Sequence, residues 1–226
     1  MKDVLWTRPS CPEELLRQMQ TLDAATAHEA MGKRGAMVHT VRPIDPGMKC
    51  CGRALTVKCH AGDNLMLIKA VSMAQPGDVI VADMGSIVDN GPFGEVLAVE
   101  CLAKGCAGLV ISCSVRDTEA IIRRGLPVFS TGVSVFGTAK ASKGTVNHDV
   151  IVGGVLVHPG DIVLGDRDGV VVIPLEEAEQ TLAACRKRSG SEAVVMQRLQ
   201  GGESLFDIYG YQKVFDALGV TEEERI

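Results

Sequence analysis

Three charged residues stand where a chain of alternating strands and helices could use them for chemistry. Glu95 opens the apolar stretch GEVLAVE, twenty residues intervene, and Arg116 and Asp117 then sit side by side in SVRDTEA, where the apolar run AGLVIS ends. A carboxylate can bind a hard divalent cation or accept a proton. A guanidinium offers an oxyanion a planar fork that is always charged. Local sequence also allows a plainer account, in which Asp117 or Thr118 caps the following helix and Arg116 makes a local ion pair. The two sites together change the reading. Strand, helix and strand in that order would bring an acid at a helix start and an Arg-Asp pair at a strand end to one rim, where ligands gather in open α/β sheets.

The segment before Glu95 adds to this. DMGSIVDNGPFGE, residues 83–95, is a Gly-rich loop that follows a strand and opens a helix. The free backbone N–H groups of Val96 and Leu97 would then face whatever precedes the helix, and the helix dipole favours an anion such as a carboxylate or phosphate. The glycines match neither GxGxxG nor the Walker pattern, which removes support for a nucleotide. Ordinary turn glycines would also account for the loop taken alone.

These residues need a scaffold. PEELLRQMQ and DAATAHEAMG read as an N-terminal helical pair, the second with Asp23 as N-cap and Gly32 as stop. RALTVKC reads as a strand, and the helix in GDNLMLIKAVSMAQPGD is closed by Pro76 and Gly77. VIVAD reads as a strand, GEVLAVECLAKG as a helix stopped by Gly105, AGLVISCSV as a strand and TEAIIRRG as a helix stopped by Gly125. This alternation argues for an α/β fold around a largely buried sheet. VIVGGVLVHPGDIVLGDRDGVVVIP breaks the rhythm with three β-rich runs and a DRDG turn, so antiparallel hairpins are expected there. After Pro174 a long charged helix is expected, interrupted near Gly190. The repeated PGDVIVAD and PGDIVLGD read as a reused turn before a strand.

Bulk properties narrow the function. A chain of 226 residues that is 46% hydrophobic and 23% charged fits one ordinary globular domain with an arm. The net charge of −5, with Lys and Arg scattered, offers no basic stripe for nucleic acid. No apolar run reaches the length of a membrane span, and MKDVLWTRPSCPEELL lacks a signal-peptide layout, so a cytoplasmic protein is expected. The eight cysteines form no CxxC pair and are expected as free, packed thiols, which argues against structural zinc. His28 could shuttle protons but has no visible partner, and the His28-Glu29 pair is not HExxH.

The spacing of Glu95, Arg116 and Asp117 resembles the acidic-x20-Arg-Asp signature of the class II pyruvate aldolase branch of the RraA-like family. The resemblance covers most of the chain, through TAHEAMGKRG, GDNLM, QPGDVIVAD, FGEVLA, KGCAGLVISCSVRD, LPVFSTGVS, VHPGDIVLGDRDGVVVIP and GESLFDIY in order. It implies an α-β-β-α sandwich with mixed sheets, like the phosphohistidine-swivelling domain, in which residues 1–175 form the catalytic domain. Residues 176–226 would form a C-terminal helical arm on a neighbouring subunit of a homotrimer or homohexamer with intersubunit active sites. The family also contains the regulator of ribonuclease E activity, which lacks this acidic arrangement. All three charges are present here, so the catalytic branch is the one implied.

The same resemblance implies roles. Asp117 would bind Mg²⁺ or Mn²⁺, Arg116 would hold the keto oxygen of a small-molecule 2-oxo acid, and Glu95 would help a water take the C4-hydroxyl proton. Gly94, Val96 and Leu97 would receive the pyruvyl carboxylate, with Asn64 and Glu29 near the substrate and Glu192 reaching in from the adjacent subunit. The expected substrates are 4-carboxy-4-hydroxy-2-oxoadipate or 4-hydroxy-4-methyl-2-oxoglutarate, intermediates of aromatic catabolism. Oxaloacetate decarboxylation is expected as a side activity. The alternatives are an enzyme that mainly decarboxylates oxaloacetate and a non-catalytic binding protein of the ribonuclease-regulator type. The loop MGSIVDNGP is expected beside the distal half of the substrate.

Overall fold

A computed structural model describes residues 2–221 and 223. The chain divides into two compact units, Met1–Ala184 and Cys185–Ile226. In the first unit the parallel part of the sheet is built from β2 (Cys50–Lys58), β3 (Asp78–Asp83), β4 (Gly108–Ile111) and β6 (Val128–Ser130), with β1 (Arg42–Pro43) antiparallel to β6. β5 (Ser114–Val115) and β7 (Gly132–Val133) form a separate parallel pair, and β8 (Thr145–Val146) adds to β2. Antiparallel hairpins follow: β9 (Val150–Val152) with β10 (Val155–Val157), and β11 (Ile162–Asp166) with β12 (Gly169–Ile173). The large sheet runs β1-β6-β4-β3-β2-β11-β12. Its two ends come near each other, since Arg42 on β1 donates to the carbonyl of Asp168, 2.9 Å away beside β12.

Helices α1 (Glu13–Met19), α2 (Ala24–Ala30), α3 (Leu65–Met73), α4 (Glu95–Ala103) and α5 (Thr118–Arg124) belong to the first unit. Successive strand residues point to opposite faces, and both faces are buried. Ile80 and Ala82 of β3 join the cluster that contains Leu67 and Val71 of α3 and Ala98 and Cys101 of α4. Val79 and Val81 join Phe129, Val150, Val163 and Val172 on the other face. Burial on both sides is why these strands read as unbroken apolar runs. The result is the mixed α/β fold expected from the sequence.

Several local readings need correction. AGLVISCSV is two strands: β4 ends at Ile111, and β5 starts at Ser114 in a different sheet. The three expected β-rich runs are four strands, because Gly153 and Gly154, at φ 56° and 79°, turn β9 into β10. Asp23 precedes α2 but its side chain makes no cap; it pairs with Lys49, and Asp166 accepts the N–H of Ala24 at 2.8 Å instead. The long helix α6 (Ala178–Gln200) runs through Gly190 without a break, since a single glycine costs a helix only about 1 kcal/mol.

The second unit holds the rest of α6 with α7 (Leu205–Ile208) and α8 (Gln212–Leu218). Phe206 meets Tyr211 and Phe215 edge-on, at centroid distances of 6.1 and 4.9 Å, and ties α7 to α8. All eight cysteines are free and buried. No helix among the described residues is long and apolar enough to cross a membrane.

Candidate active site

The exits of β3 and β4 feed the candidate site. After β4 the chain passes through β5 and reaches Arg116, whose N–H donates to the carbonyl of Phe93 at 2.9 Å. Asp117 then adopts a left-handed backbone, φ 55° and ψ 33°, immediately before α5. That conformation is uncommon for a residue other than glycine, although Asp tolerates it better than most. It turns the carboxylate toward α4, where Oδ2 accepts the N–H of Glu95 at 3.1 Å. Gly94 makes this approach feasible. A Cβ at that position would stand 2.4 Å from Asp117 Oδ2 and 3.1 Å from Arg116 Cγ, so no side chain fits there without displacing the pair.

A cleft of about 350 Å³ opens beside these residues, lined by Asn64, Gly94, Val96, Leu97, Arg116 and Asp117. That volume suits a small organic acid. Lys140, Thr138, Gly137, Pro92 and Ile68 complete its wall. The first-turn N–H groups of Val96 and Leu97 have no acceptor within their helix. With Arg116 and Lys140 against one carboxylate, the lining carries net positive charge, and the N-terminus of α4 adds to it.

Asn64 is buried, donates through Nδ2 to the carbonyl of Pro92 at 2.7 Å, and has no partner for Oδ1 among the described residues. A buried acceptor without a donor costs free energy, which a ligand's donor would recover. Beside it, Asp63 accepts the N–H groups of Leu65, Ala141 and Ser142 at 2.8, 2.6 and 2.9 Å. This grip holds the segment that carries Lys140 against the start of α3. Burial pushes the Asp63 carboxyl up, but the three backbone donors more than offset this and hold it below the ordinary aspartate value.

The sequence-derived residues do not all converge. Arg116, Asp117, Gly94, Val96, Leu97 and Asn64 share the cleft. Glu95 starts α4, yet its carboxylate is not part of the cleft wall; it pairs with Arg124 of α5 at 2.7 Å. Glu29 lies on α2 and does not line the cleft. Glu192 belongs to the second unit, where it pairs with Arg188 at 2.9 Å. Of the loop MGSIVDNGP, Pro92 lines the cleft, while Asn90 holds the carbonyl of Gly137 at 2.6 Å. Sequence reasoning missed Lys140 and Arg124, because nothing in TAKASKG or IIRRG marks one lysine or arginine above its neighbours.

The donor set can be tested against a metal. Among the described residues no group of three or more His, Cys, Asp or Glu forms a ligand cluster. Among the described residues, Asp117 is the one carboxylate in the cleft wall. A single hard oxygen ligand, with waters and a chelating substrate, is a set that Mg²⁺ or Mn²⁺ accepts and that a structural zinc site does not use. The residues therefore fit a hard divalent ion.

Comparison with known proteins bears on the family and the fold. A family model described as Aldolase/RraA, of the RraA-like type, matches residues 21–172. The chain belongs to the RraA-like family. A relative from Halalkalibacterium halodurans, provisionally named a 4-hydroxy-4-methyl-2-oxoglutarate aldolase, is 30% identical over 79% of this chain and 85% of its own. Among solved structures, a Streptomyces coelicolor protein described as an unusual member of the RNase ES inhibitor RraA family has a TM-score of 0.75. It shares 29% identity and covers 85% of this chain and 99% of that one. An uncharacterised Pseudomonas syringae protein has a TM-score of 0.77 at 24% identity, covering 88% of this chain and 98% of that one, and speaks for the fold alone. Aldolase names among relatives of this RraA-like chain support a lyase, while inhibitors of RNA processing share its fold.

Proposed function

We propose that this RraA-like protein is a divalent-metal-dependent lyase that cleaves a 4-hydroxy-2-oxo acid to pyruvate and a second keto acid. Candidate substrates are 4-carboxy-4-hydroxy-2-oxoadipate, giving oxaloacetate, and 4-hydroxy-4-methyl-2-oxoglutarate, giving a second pyruvate. The observation that carries this reading is the convergence of Arg116, Asp117 and the start of α4 on one cleft. A Mg²⁺ or Mn²⁺ ion at Asp117 would supply positive charge beside the substrate's keto oxygen.

The chain's own groups do the rest. The N–H groups of Val96 and Leu97 bind the pyruvyl carboxylate and fix the substrate's direction. Arg116 donates to the keto oxygen, whose negative charge grows as the C3–C4 bond breaks, so its contribution is larger in the transition state than in the ground state. Glu95, whose carboxylate stands outside the cleft wall, takes the C4-hydroxyl proton through one water. Lys140 faces the distal carboxylate, and Asn64 Oδ1 accepts a hydrogen bond from the bound ligand or its water. Glu192 reaches the cleft from an adjacent subunit of a homotrimer or homohexamer, and Glu29 lies near the substrate in that assembly.

Oxaloacetate should lose CO₂ in the same cleft, because that bond cleavage leaves the same pyruvate enolate against Arg116. The test is pyruvate release from both hydroxy acids and from oxaloacetate, with Mg²⁺ and with EDTA. Cleavage of either hydroxy acid that EDTA abolishes is expected. Decarboxylation alone would make oxaloacetate the substrate. Silence on all three, together with a stable complex with a ribonuclease, would favour the inhibitor role named for the Streptomyces relative.

A further inference from the structure

Glu95 is the proposed proton acceptor, yet one of its oxygens is already engaged. Arg124 places Nε and Nη2 against the same atom, Oε1, at 2.8 and 2.7 Å, and among the described residues no hydrogen bond reaches Oε2. The contact joins the first residue of α4 to the last of α5. Side chains on a helix lean toward its N-terminus, so an arginine in the last turn of α5 reaches back toward Asp117. Asp117 in turn holds the backbone N–H of Glu95. Glu95 is thus gripped twice from the α5 side, at its backbone by Asp117 and at its carboxylate by Arg124.

Fold stability does not explain this pair. Its side chains are 44% and 40% exposed, and exposed ion pairs contribute little to stability. What a two-donor grip on one oxygen does is remove rotational freedom from a long side chain and leave the other oxygen in a defined place. The neighbouring Arg123 instead pairs with Glu119 inside α5, at 2.7 Å, an ordinary helix-surface contact.

We infer that Arg124 is the positioning residue for Glu95: it holds Oε1 so that Oε2 alone takes the substrate's proton, through one water. This rests on the lyase reading above. In that reaction the C4-hydroxyl proton moves through one water to Oε2, the C3–C4 bond breaks, and a carbonyl forms at C4. The released electron pair passes to the pyruvyl half as its enolate, which is then protonated at C3. Oxaloacetate decarboxylation breaks the corresponding bond with no hydroxyl proton to remove, so it does not need Glu95 in this role.

The two reactions of one enzyme therefore separate positioning from structure. Arg124→Ala should lower kcat for hydroxy-acid cleavage about tenfold or more, with KM and decarboxylation little changed. Arg124→Lys should recover part of the loss, and Arg124→Ala should add nothing in a Glu95→Gln background. Equal losses in both reactions would mean a structural role and overturn the proposal, as would unchanged cleavage. The grip itself can be read without turnover, from the Arg124 Nε–H signal in ¹⁵N NMR of the intact oligomer. Slow exchange that Glu95→Gln abolishes is expected, and equal exchange in both proteins would overturn the proposal. A wild-type enzyme that decarboxylates but cleaves no hydroxy acid would overturn the lyase reading and its proton step, whatever the NMR shows of the grip.

Discussion

Gly94 shows how much of the site rests on the absence of a single atom. A Cβ there would lie 2.4 Å from Asp117 Oδ2, and the carboxylate is the part free to move. Gly94→Ala should therefore leave the fold intact and lower kcat/KM by about a hundredfold, the penalty for displacing a reacting group by roughly 1 Å. Circular dichroism and steady-state kinetics on the same sample check this, and near-normal turnover would show that Asp117 tolerates the shift. Arg116 and Asp117 were legible from their types and from their place at a strand end. The left-handed backbone of Asp117 was not, since φ depends on how α4 and α5 crowd that residue. The Glu95–Arg124 pair was also hidden, because its partners are far apart in sequence and meet only through helix packing.

Among the elements, the segment bearing Lys140 depends on Asp63. Three backbone N–H groups converge on that carboxylate, and Asp63→Ala should cost about 2–4 kcal/mol by leaving them unpaired. The folded state holds the carboxyl below its ordinary value of 3.8, so folding favours the ionised form. The stabilisation is then present above that value and lost as pH falls through the lower folded one. Denaturant titrations between neutral pH and about pH 3 should show a decline that is smaller in Asp63→Ala; identical slopes would remove Asp63 from the account. Helix stops were readable because Gly105 and Gly125 take φ of 73° and 79°, a conformation open mainly to glycine. The break between β4 and β5 was not readable, because only Ser112 stands between the apolar Ile111 and Cys113 and only pairing with β7 separates the two strands.

For the whole molecule, one chain supplies the cleft but not every residue assigned to it. Glu29 is not in its wall, and Glu192 belongs to the second compact unit. Mixed oligomers of Glu192→Ala and Asp117→Ala subunits should recover part of the lost activity, because some sites would then draw an intact residue from each chain. No recovery after confirmed mixing would argue against shared sites. The α/β class was legible from the alternation of buried strands with helices. The proposed assembly rests on family resemblance alone, because periodicity within one chain carries no record of a neighbour. The central claim, that Arg116 and Asp117 hold a pyruvyl group in a metal-dependent site, does not depend on the C4 substituent. It is tested most directly by exchange of pyruvate's methyl protons with D₂O, followed by NMR. The account predicts exchange with Mg²⁺ that is lost with EDTA and in both Arg116→Lys and Asp117→Asn. Wild-type protein that is folded and supplied with Mg²⁺ but exchanges no protons, or an Arg116→Lys variant that exchanges as fast as wild type, would contradict it.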